Sequence, residues 1–165
     1  MASPEQPGSK PSDSKPPAPK RPDRWARHRA RAALVQALFQ WQFSQPATHE
    51  LEQQFATAGK LAKIDREFFR AALKLIMHNT AELDTLLTPL LDRPFADLGR
   101  VERGILWLGA YELRDCLEVP YRVVISEGVT LAKSYGAEDS HKFVNAVLDR
   151  LARDLRPDEC AAQAS

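Results

Sequence analysis

Residues 119–155 read VPYRVVISEGVTLAKSYGAEDSHKFVNAVLDRLARDL, and this stretch decides the fold. Its apolar residues recur every three or four positions, which predicts two amphipathic helices joined by a tight polar turn. The apolar stripes consist of Val124, Gly128, Leu131, Ala132 and Tyr135 in the first helix and Val144, Leu148, Leu151 and Leu155 in the second. Pro120 precedes the first helix, and Gly136 follows it where a left-handed backbone favours glycine. Asp139 or Ser140 suits the cap of the second helix.

The turn itself, GAEDSHKF at residues 136–143, has an unusual composition for a helix connection. It sets two acids, a hydroxyl, an imidazole, an ammonium group and an aromatic ring side by side. Because a connection between helices needs no such variety, we interpret this turn as the first candidate for a functional site.

The rest of the chain also has helical patterns. Asp23 is placed to cap a helix ending near Pro46, and Thr48 begins a shorter one. Asp65 begins a long helix with a heptad seam that continues to Pro89 and Pro94, and the seam residues are Phe69, Leu73, Ile76, Thr80, Leu83, Leu87 and Leu90. Residues 101–115 are apolar on nearly all sides, which predicts a central buried helix. No strand pattern occurs, so the predicted class is all-α, with six or seven helices in one bundle or in two halves divided near residue 94.

The first residues differ from the rest in composition. Residues 1–24 hold seven of the twelve prolines, so we predict a disordered basic tail over residues 1–23, a helical domain over 24–157 and a C-terminal tail over 158–165. Residues 1–31 carry eight Lys or Arg against three acids, whereas the remainder has 15 against 19. A basic arm on a mildly acidic body suggests a polyanion such as nucleic acid, although a solubilising tail explains the arm about as well.

Several function classes find no support in the sequence. It shows neither a phosphate-binding glycine loop nor zinc-ligand spacing, so we predict no cofactor and no metal. His141 near Asp139 is better explained as a capping or surface residue than as an acid–base pair. Two isolated cysteines, the lack of an apolar leader and the lack of a membrane-spanning run favour a cytoplasmic protein.

Four stretches, in this order and spacing, resemble one bacterial family. They are RHRARAALVQALFQWQFSQ, IDREFFRAALKLIMHNTAELD, GRVERGILWLGAYEL and VPYRVVISEGVTLAKSYGAEDSHKFVNAVLD. Together they are similar to the transcription antitermination family NusB over about residues 24–157. The resemblance implies a small, all-helical, non-enzymatic protein that binds boxA RNA together with NusE, a small-subunit ribosomal protein. It also implies a role with RNA polymerase in reading through terminators of ribosomal RNA operons, and in ribosome biogenesis.

The resemblance assigns roles to individual positions. The implied RNA-binding residues are Arg27, Arg29, Arg31, Gln36, Phe39, Tyr135, Asp139, Lys142 and Phe143. Glu102 matches an acidic position implicated in contact with NusE. Such residues suit single-stranded RNA, in which bases stack on aromatic rings while cations hold the backbone.

Two departures from the family pattern leave questions open. Trp107 stands where the family usually has arginine. The tryptophan suits either a core contact or an oligomer contact, so the sequence is compatible with a monomer or a homodimer. Residues 126–128 read SEG where the family favours NEA. Two alternative functions are an RNA-binding domain like the N-terminal one of an rRNA cytosine methyltransferase, and a helical adaptor that binds only proteins. This sequence has no glycine-rich motif for a methyl donor.

Overall fold

The computed structural model describes residues 3, 8 and 23–163, and within that part of the chain every regular element is a helix. The α-helices are α1 (Arg24–Ser44), α2 (Thr48–Thr57), α3 (Arg66–His78), α4 (Thr80–Leu87), α5 (Arg100–Asp115), α6 (Tyr121–Tyr135), α7 (Ser140–Leu155) and α8 (Pro157–Gln163). Two 3-10 turns, Thr88–Leu90 and Phe95–Asp97, connect α4 to α5. The predicted all-α class is confirmed. The tail predicted over residues 1–23 lies outside the described residues except at positions 3, 8 and 23.

Two of the three predicted N-caps form the expected side-chain hydrogen bond, whereas Asp139 occupies the N-cap position of α7 without one. The Asp23 carboxylate accepts a hydrogen bond from the backbone N–H of Trp25 at 2.9 Å, and the Asp65 carboxylate accepts one from Phe68 at 3.0 Å. Each bond satisfies one of the backbone donors that the first turn of a helix leaves free. The two caps therefore fix where α1 and α3 begin.

The helix predicted to run on from Asp65 is interrupted at Asn79, where the backbone leaves the helical region with φ −122° and ψ 21°. The Asn79 side chain donates a hydrogen bond to the Leu75 carbonyl at 2.7 Å, which is how asparagine competes with helical hydrogen bonds. The predicted single helix is therefore two, α3 and α4. The seam still faces inward, since Ile76 and Leu83 on either side of the break are fully buried.

Helix α5 lies at the centre of the molecule. All ten residues from 104 to 113 are buried, and α5 packs against α1, α3, α4, α6 and α7. One apolar cluster includes side chains from α1 through α7, so the helices before and after residue 94 share a single core. Within the described part of the chain, no helix has the length and apolarity needed to cross a membrane.

Close packing of α5, α6 and α7 depends on two glycines. A Cβ atom at Gly109 would lie 2.6 Å from a methyl carbon of Leu148, and one at Gly128 would lie 2.8 Å from the other methyl carbon. Leu148 therefore occupies a notch between the two glycines. This contact explains the glycine at position 128, because alanine there would crowd Leu148. Nothing in the structure explains serine at position 126.

The C-terminal end of the domain is held by Arg156. Its buried guanidinium group donates hydrogen bonds to the carbonyls of Glu112, Leu113, Cys116 and Val119, which end α5 and lead into α6. The carboxylate of Glu159 accepts from Arg156 at 3.1 Å and from the N–H of Tyr121 at 2.9 Å. The residues predicted as a tail over 158–165 thus include most of helix α8, and Glu159 ties that helix to α6.

Candidate nucleic-acid interface

Three of the predicted RNA-binding residues meet in one groove. Gln36 and Phe39 on α1 and Tyr135 at the end of α6 line a groove of about 450 Å³. Phe39 and Tyr135 expose 40% and 44% of their surface, which is high for aromatic side chains. A groove with exposed rings and an amide can accept a flat, polar-edged ligand such as a nucleobase.

The same groove contains residues that the sequence did not single out. Phe43 packs edge-on against Phe39 with ring centroids 5.0 Å apart, and the Arg100 guanidinium lies 4.2 Å from the Phe43 ring centroid. Lys60 Nζ is 3.3 Å from the side-chain oxygen of Gln36. Phe43 could have been found from its spacing, since it lies seven residues after Gln36 on the same helix face. Lys60 and Arg100 reach the site only through the fold.

The turn after α6 is fixed by a hydrogen bond to Glu102, at the start of α5. One carboxylate oxygen of Glu102 accepts a hydrogen bond from the Ala137 N–H at 2.9 Å. Gly136 has φ −85°, so the predicted left-handed glycine is wrong, and the left-handed residue is Asp139 with φ 63°. Glycine is needed at 136 for space, because a Cβ there would lie 2.3 Å from the Ser140 hydroxyl and 2.7 Å from the Ala132 carbonyl.

The three predicted residues on and after this turn differ in accessibility. Asp139 and Lys142 are exposed and form an ion pair at 3.4 Å. They lie on and just after the turn that follows Tyr135, the last residue of α6 and a lining residue of the groove. Phe143 is instead partly buried against the core, and Arg93 lies 5.2 Å from its ring centroid. The Phe143 ring is therefore not a lining residue of the groove.

The predicted arginines of α1 separate into accessible and inaccessible ones. Arg29 is exposed, and its Nε donates to the Lys63 carbonyl at 2.7 Å. Arg27 is half-buried, with an ion pair to Asp65 at 3.3 Å and the Phe68 ring 4.6 Å away. Of the three arginines only Arg29 is exposed, and it also faces the Asp23 carboxylate at 3.8 Å.

Arg31 is a core residue, and its predicted contact with RNA is wrong on this structure. It is 3% exposed, and its guanidinium group donates to both carboxylate oxygens of Glu112 at 2.8–3.2 Å. Burial raises the pKa of the Glu112 carboxyl, and the hydrogen bonds from Arg31 oppose that rise. A phosphate could recruit Arg31 only by leaving a buried carboxylate without its partner, which is costly.

Trp107 resolves one of the open questions, because it is a core contact. Its ring stacks on Phe95 with centroids 6.1 Å apart and meets Trp41 edge-on at 5.9 Å. The indole N–H donates to the Asp84 carboxylate at 2.7 Å. At 4% exposure Trp107 offers almost no surface to a second copy of the chain.

Comparisons with known proteins agree with this architecture. Residues 28–153 match the model of the NusB family. The chain is 51% identical over 131 residues to the transcription antitermination protein NusB of Alcanivorax borkumensis, covering 79% of this chain and 87% of that one. It is 47% identical over 134 residues to the protein of the same name from Escherichia coli, covering 81% and 96%.

Solved structures give the same result. The solved structure described as T. maritima NusB superposes with a TM-score of 0.71 at 32% identity, covering 81% of this chain and 96% of that one. A crystal structure of the antitermination factors NusB and NusE in complex with double-stranded RNA superposes with a TM-score of 0.68 at 26% identity, covering 77% and 96%. The family model and these relatives match most of the sequence, and the solved structures share its helical bundle. This chain belongs to the NusB family.

Proposed function

We propose that this protein is an RNA-binding transcription antitermination factor, which binds boxA-type RNA together with NusE as part of the RNA polymerase antitermination complex on ribosomal RNA operons. The observation that carries the proposal is the groove of Gln36, Phe39 and Tyr135, supplied with positive charge by Lys60 and Arg100. Family membership supports it, since curated relatives carry the name antitermination protein and one solved relative is a complex with NusE and RNA.

The groove supplies the parts that recognition of single-stranded RNA requires. The exposed faces of Phe39 and Tyr135 can stack on bases splayed out of a helix. The Gln36 amide can both donate to and accept from a base edge. Lys60 lies against Gln36 and Arg100 lies against Phe43, so both can neutralise phosphates of the strand. In this proposal the exposed Lys142 on the turn after α6 does the same.

Glu102 connects this groove to the proposed site for NusE. Its neighbour Val101 lines the groove, while its own carboxylate holds the turn at Ala137. A negative charge at this position suits a basic ribosomal protein. In this proposal RNA and NusE bind adjoining surfaces, so a change at Glu102 affects NusE through its charge and RNA through the position of the turn.

The groove is tested by binding of a boxA-like RNA and a scrambled RNA to Phe39→Ala. We expect affinity for the boxA-like RNA to fall by about 1–3 kcal/mol, the range for loss of one stacked base, with little change in melting temperature. Leu75→Ala on α3 is a matched control, because Leu75 is 42% exposed and lies outside the groove. Equal affinity of the wild-type protein for both RNAs would contradict boxA specificity, and binding to neither RNA would favour the protein-only adaptor.

Two variants separate the roles of Glu102. Glu102→Gln removes the charge but keeps an oxygen that can accept from Ala137, whereas Glu102→Ala removes both. We expect Glu102→Gln to weaken association with NusE and spare RNA, and Glu102→Ala to weaken both, as measured by calorimetry with each ligand. Unchanged NusE affinity in the glutamine variant would remove this charge from the partner surface.

A further inference from the structure

One face of α1 presents an exposed stripe along its whole length. The residues at alternating spacings of four and three are Trp25, Arg29, Ala32, Gln36, Phe39 and Phe43. None of them is fully buried, and Trp25, Arg29, Phe39 and Phe43 are exposed. At 1.5 Å per residue the stripe is about 27 Å long. The groove described above occupies only the far end of this stripe, and Trp25 stands at the other end.

Trp25 is not needed by the core. It is 59% exposed, and its indole N–H has no hydrogen-bond partner among the residues that the structure describes. Its ring meets His28 edge-on with centroids 6.0 Å apart, and the Arg24 guanidinium lies 5.6 Å from its centroid. Arg24 lies over one face of the ring, and more than half of the side chain remains exposed. An exposed indole beside a mobile cation is suited to stacking on a base.

The surroundings of Trp25 are more basic than acidic. The ring lines a second groove, of about 630 Å³, between the first turns of α1 and α6, whose charged side chains are Arg24, Arg27, Arg31, Arg122, Glu118 and Glu127. Both acids already face cations. Glu127 is 2.7 Å from His28 and 3.6 Å from Arg31, and Glu118 is 4.0 Å from Arg27. Arg24 and Arg122 are both exposed, and the Arg24 guanidinium lies against Trp25. A further acid beside Trp25, Asp23, faces Arg29 at 3.8 Å.

We propose that Trp25 is a base-stacking residue at the outer end of the RNA track, so that the strand leaving the Gln36–Phe39 groove follows the α1 stripe past Arg29 and stacks a further base on the indole. The inference rests on the proposed function, because it extends the same RNA site by one stacking position. It favours RNA over a protein ligand because the stripe combines three exposed aromatic rings with an exposed arginine and is bordered by cations.

The test compares Trp25→Ala, Trp25→Phe and Leu117→Ala for binding to a boxA-like single-stranded RNA. Leu117 is a matched control, since it is 68% exposed, apolar, and no part of either groove. We expect Trp25→Ala to weaken binding about 5- to 150-fold, the range that corresponds to one stacked base, and Trp25→Phe to retain most of the affinity. The slope of log affinity against log salt stays unchanged in Trp25→Ala, because stacking releases no counterions.

Fluorescence supplies a second readout that does not depend on affinity. The other two tryptophans, Trp41 and Trp107, pack against each other in the core, so quenching by bound RNA should come mainly from Trp25. Saturating RNA is expected to quench the wild-type protein and to leave Trp25→Phe nearly unquenched. Equal quenching in both proteins, or wild-type affinity in Trp25→Ala, overturns the inference while leaving the proposed function intact. Failure of the wild-type protein to bind the RNA overturns the proposed function itself.

Discussion

Two arginines that lie two positions apart on α1 differ in their exposure to solvent. Arg29 is exposed, whereas Arg31 is buried against Glu112, because residues two apart on a helix point to nearly opposite sides. The sequence presents both as members of one basic cluster. Only the contact with Glu112, 81 positions further along the chain, distinguishes the structural arginine from the accessible one.

Single alanine substitutions of the two arginines should therefore have contrasting effects. Arg31→Ala should lower the free energy of unfolding by about 3–5 kcal/mol, because Glu112 is left buried without a partner. Arg29→Ala should change that free energy by at most about 0.5 kcal/mol, yet reduce the salt slope of RNA binding by about 0.7 if it meets one phosphate. Urea denaturation and RNA titration at several salt concentrations measure the two quantities.

A double variant serves as the control for this pair. Arg31→Met with Glu112→Leu replaces both ions by apolar side chains, and it should restore most of the lost stability. If Arg31→Ala unfolds at the same urea concentration as the wild-type protein, the buried pair does not exist in solution.

Asp84 gives a pH prediction. Burial raises the pKa of its carboxyl, with the Trp107 N–H and then Arg103 opposing the rise. An acid with a raised pKa in the folded state contributes most stability at low pH, and that contribution is lost as pH rises through the folded pKa. Asp84→Asn keeps an acceptor for Trp107 and does not titrate. Its free energy of unfolding should therefore rise relative to that of the wild-type protein between pH 3 and pH 7, as measured by denaturation at each pH, and a constant difference would contradict the assignment.

Among whole elements, the packing of α5 against α7 depends on a missing side chain. Gly109→Ala should lower the free energy of unfolding by about 1–3 kcal/mol, because Leu148 must move to admit the new methyl group. Gly104→Ala in the same helix is the matched control. Its Cβ would lie 3.4 Å from the nearest side-chain atom, an ordinary contact, so the better helix propensity of alanine should stabilise that variant by about 0.5–1 kcal/mol. Chemical denaturation of both variants would detect the opposite signs.

Features that depend on the local spacing of residues in the sequence could be predicted. Caps at Asp23 and Asp65, and the buried character of residues 104–113, follow from short-range spacing. The break at Asn79 was not visible, because the heptad seam continues through it and one side-chain bond to Leu75 decides the local geometry. The groove residues Lys60 and Arg100 were missed for a different reason, since each approaches α1 from a distant part of the chain.

In the whole molecule, the groove of Gln36, Phe39 and Tyr135 and the turn after α6 lie at one end of the bundle, whereas Trp25 lies near the start of α6. The start of α5, the end of α6 and the start of α7 meet at the end with the groove, with Glu102 bonded to the turn between the last two. The opposite end of the α6–α7 pair is held by Arg156 and Glu159, which join α5, α6 and α8. The turn after α6, which we propose to meet RNA, and the hydrogen bonds of Arg156 and Glu159 are therefore separated. Substitutions at one end of the pair should leave the other end nearly unaffected.

The hydrogen bonds of Arg156 also have a consequence for folding during translation. Four carbonyls around the α5–α6 connection receive their donors from a residue about forty positions later. The carbonyls of Glu112 and Cys116 also accept from nearby backbone N–H groups, but a nascent chain lacks all four bonds from Arg156 until residue 156 has left the ribosome. We therefore expect the bundle to reach its full stability only when synthesis of the domain is nearly finished. A chain ending at residue 155 should therefore melt well below one ending at residue 163 in thermal circular dichroism, and equal melting temperatures would show that the early helices close without it. A protein proposed to act in ribosome biogenesis would thus become fully stable only at the end of its own synthesis on a ribosome.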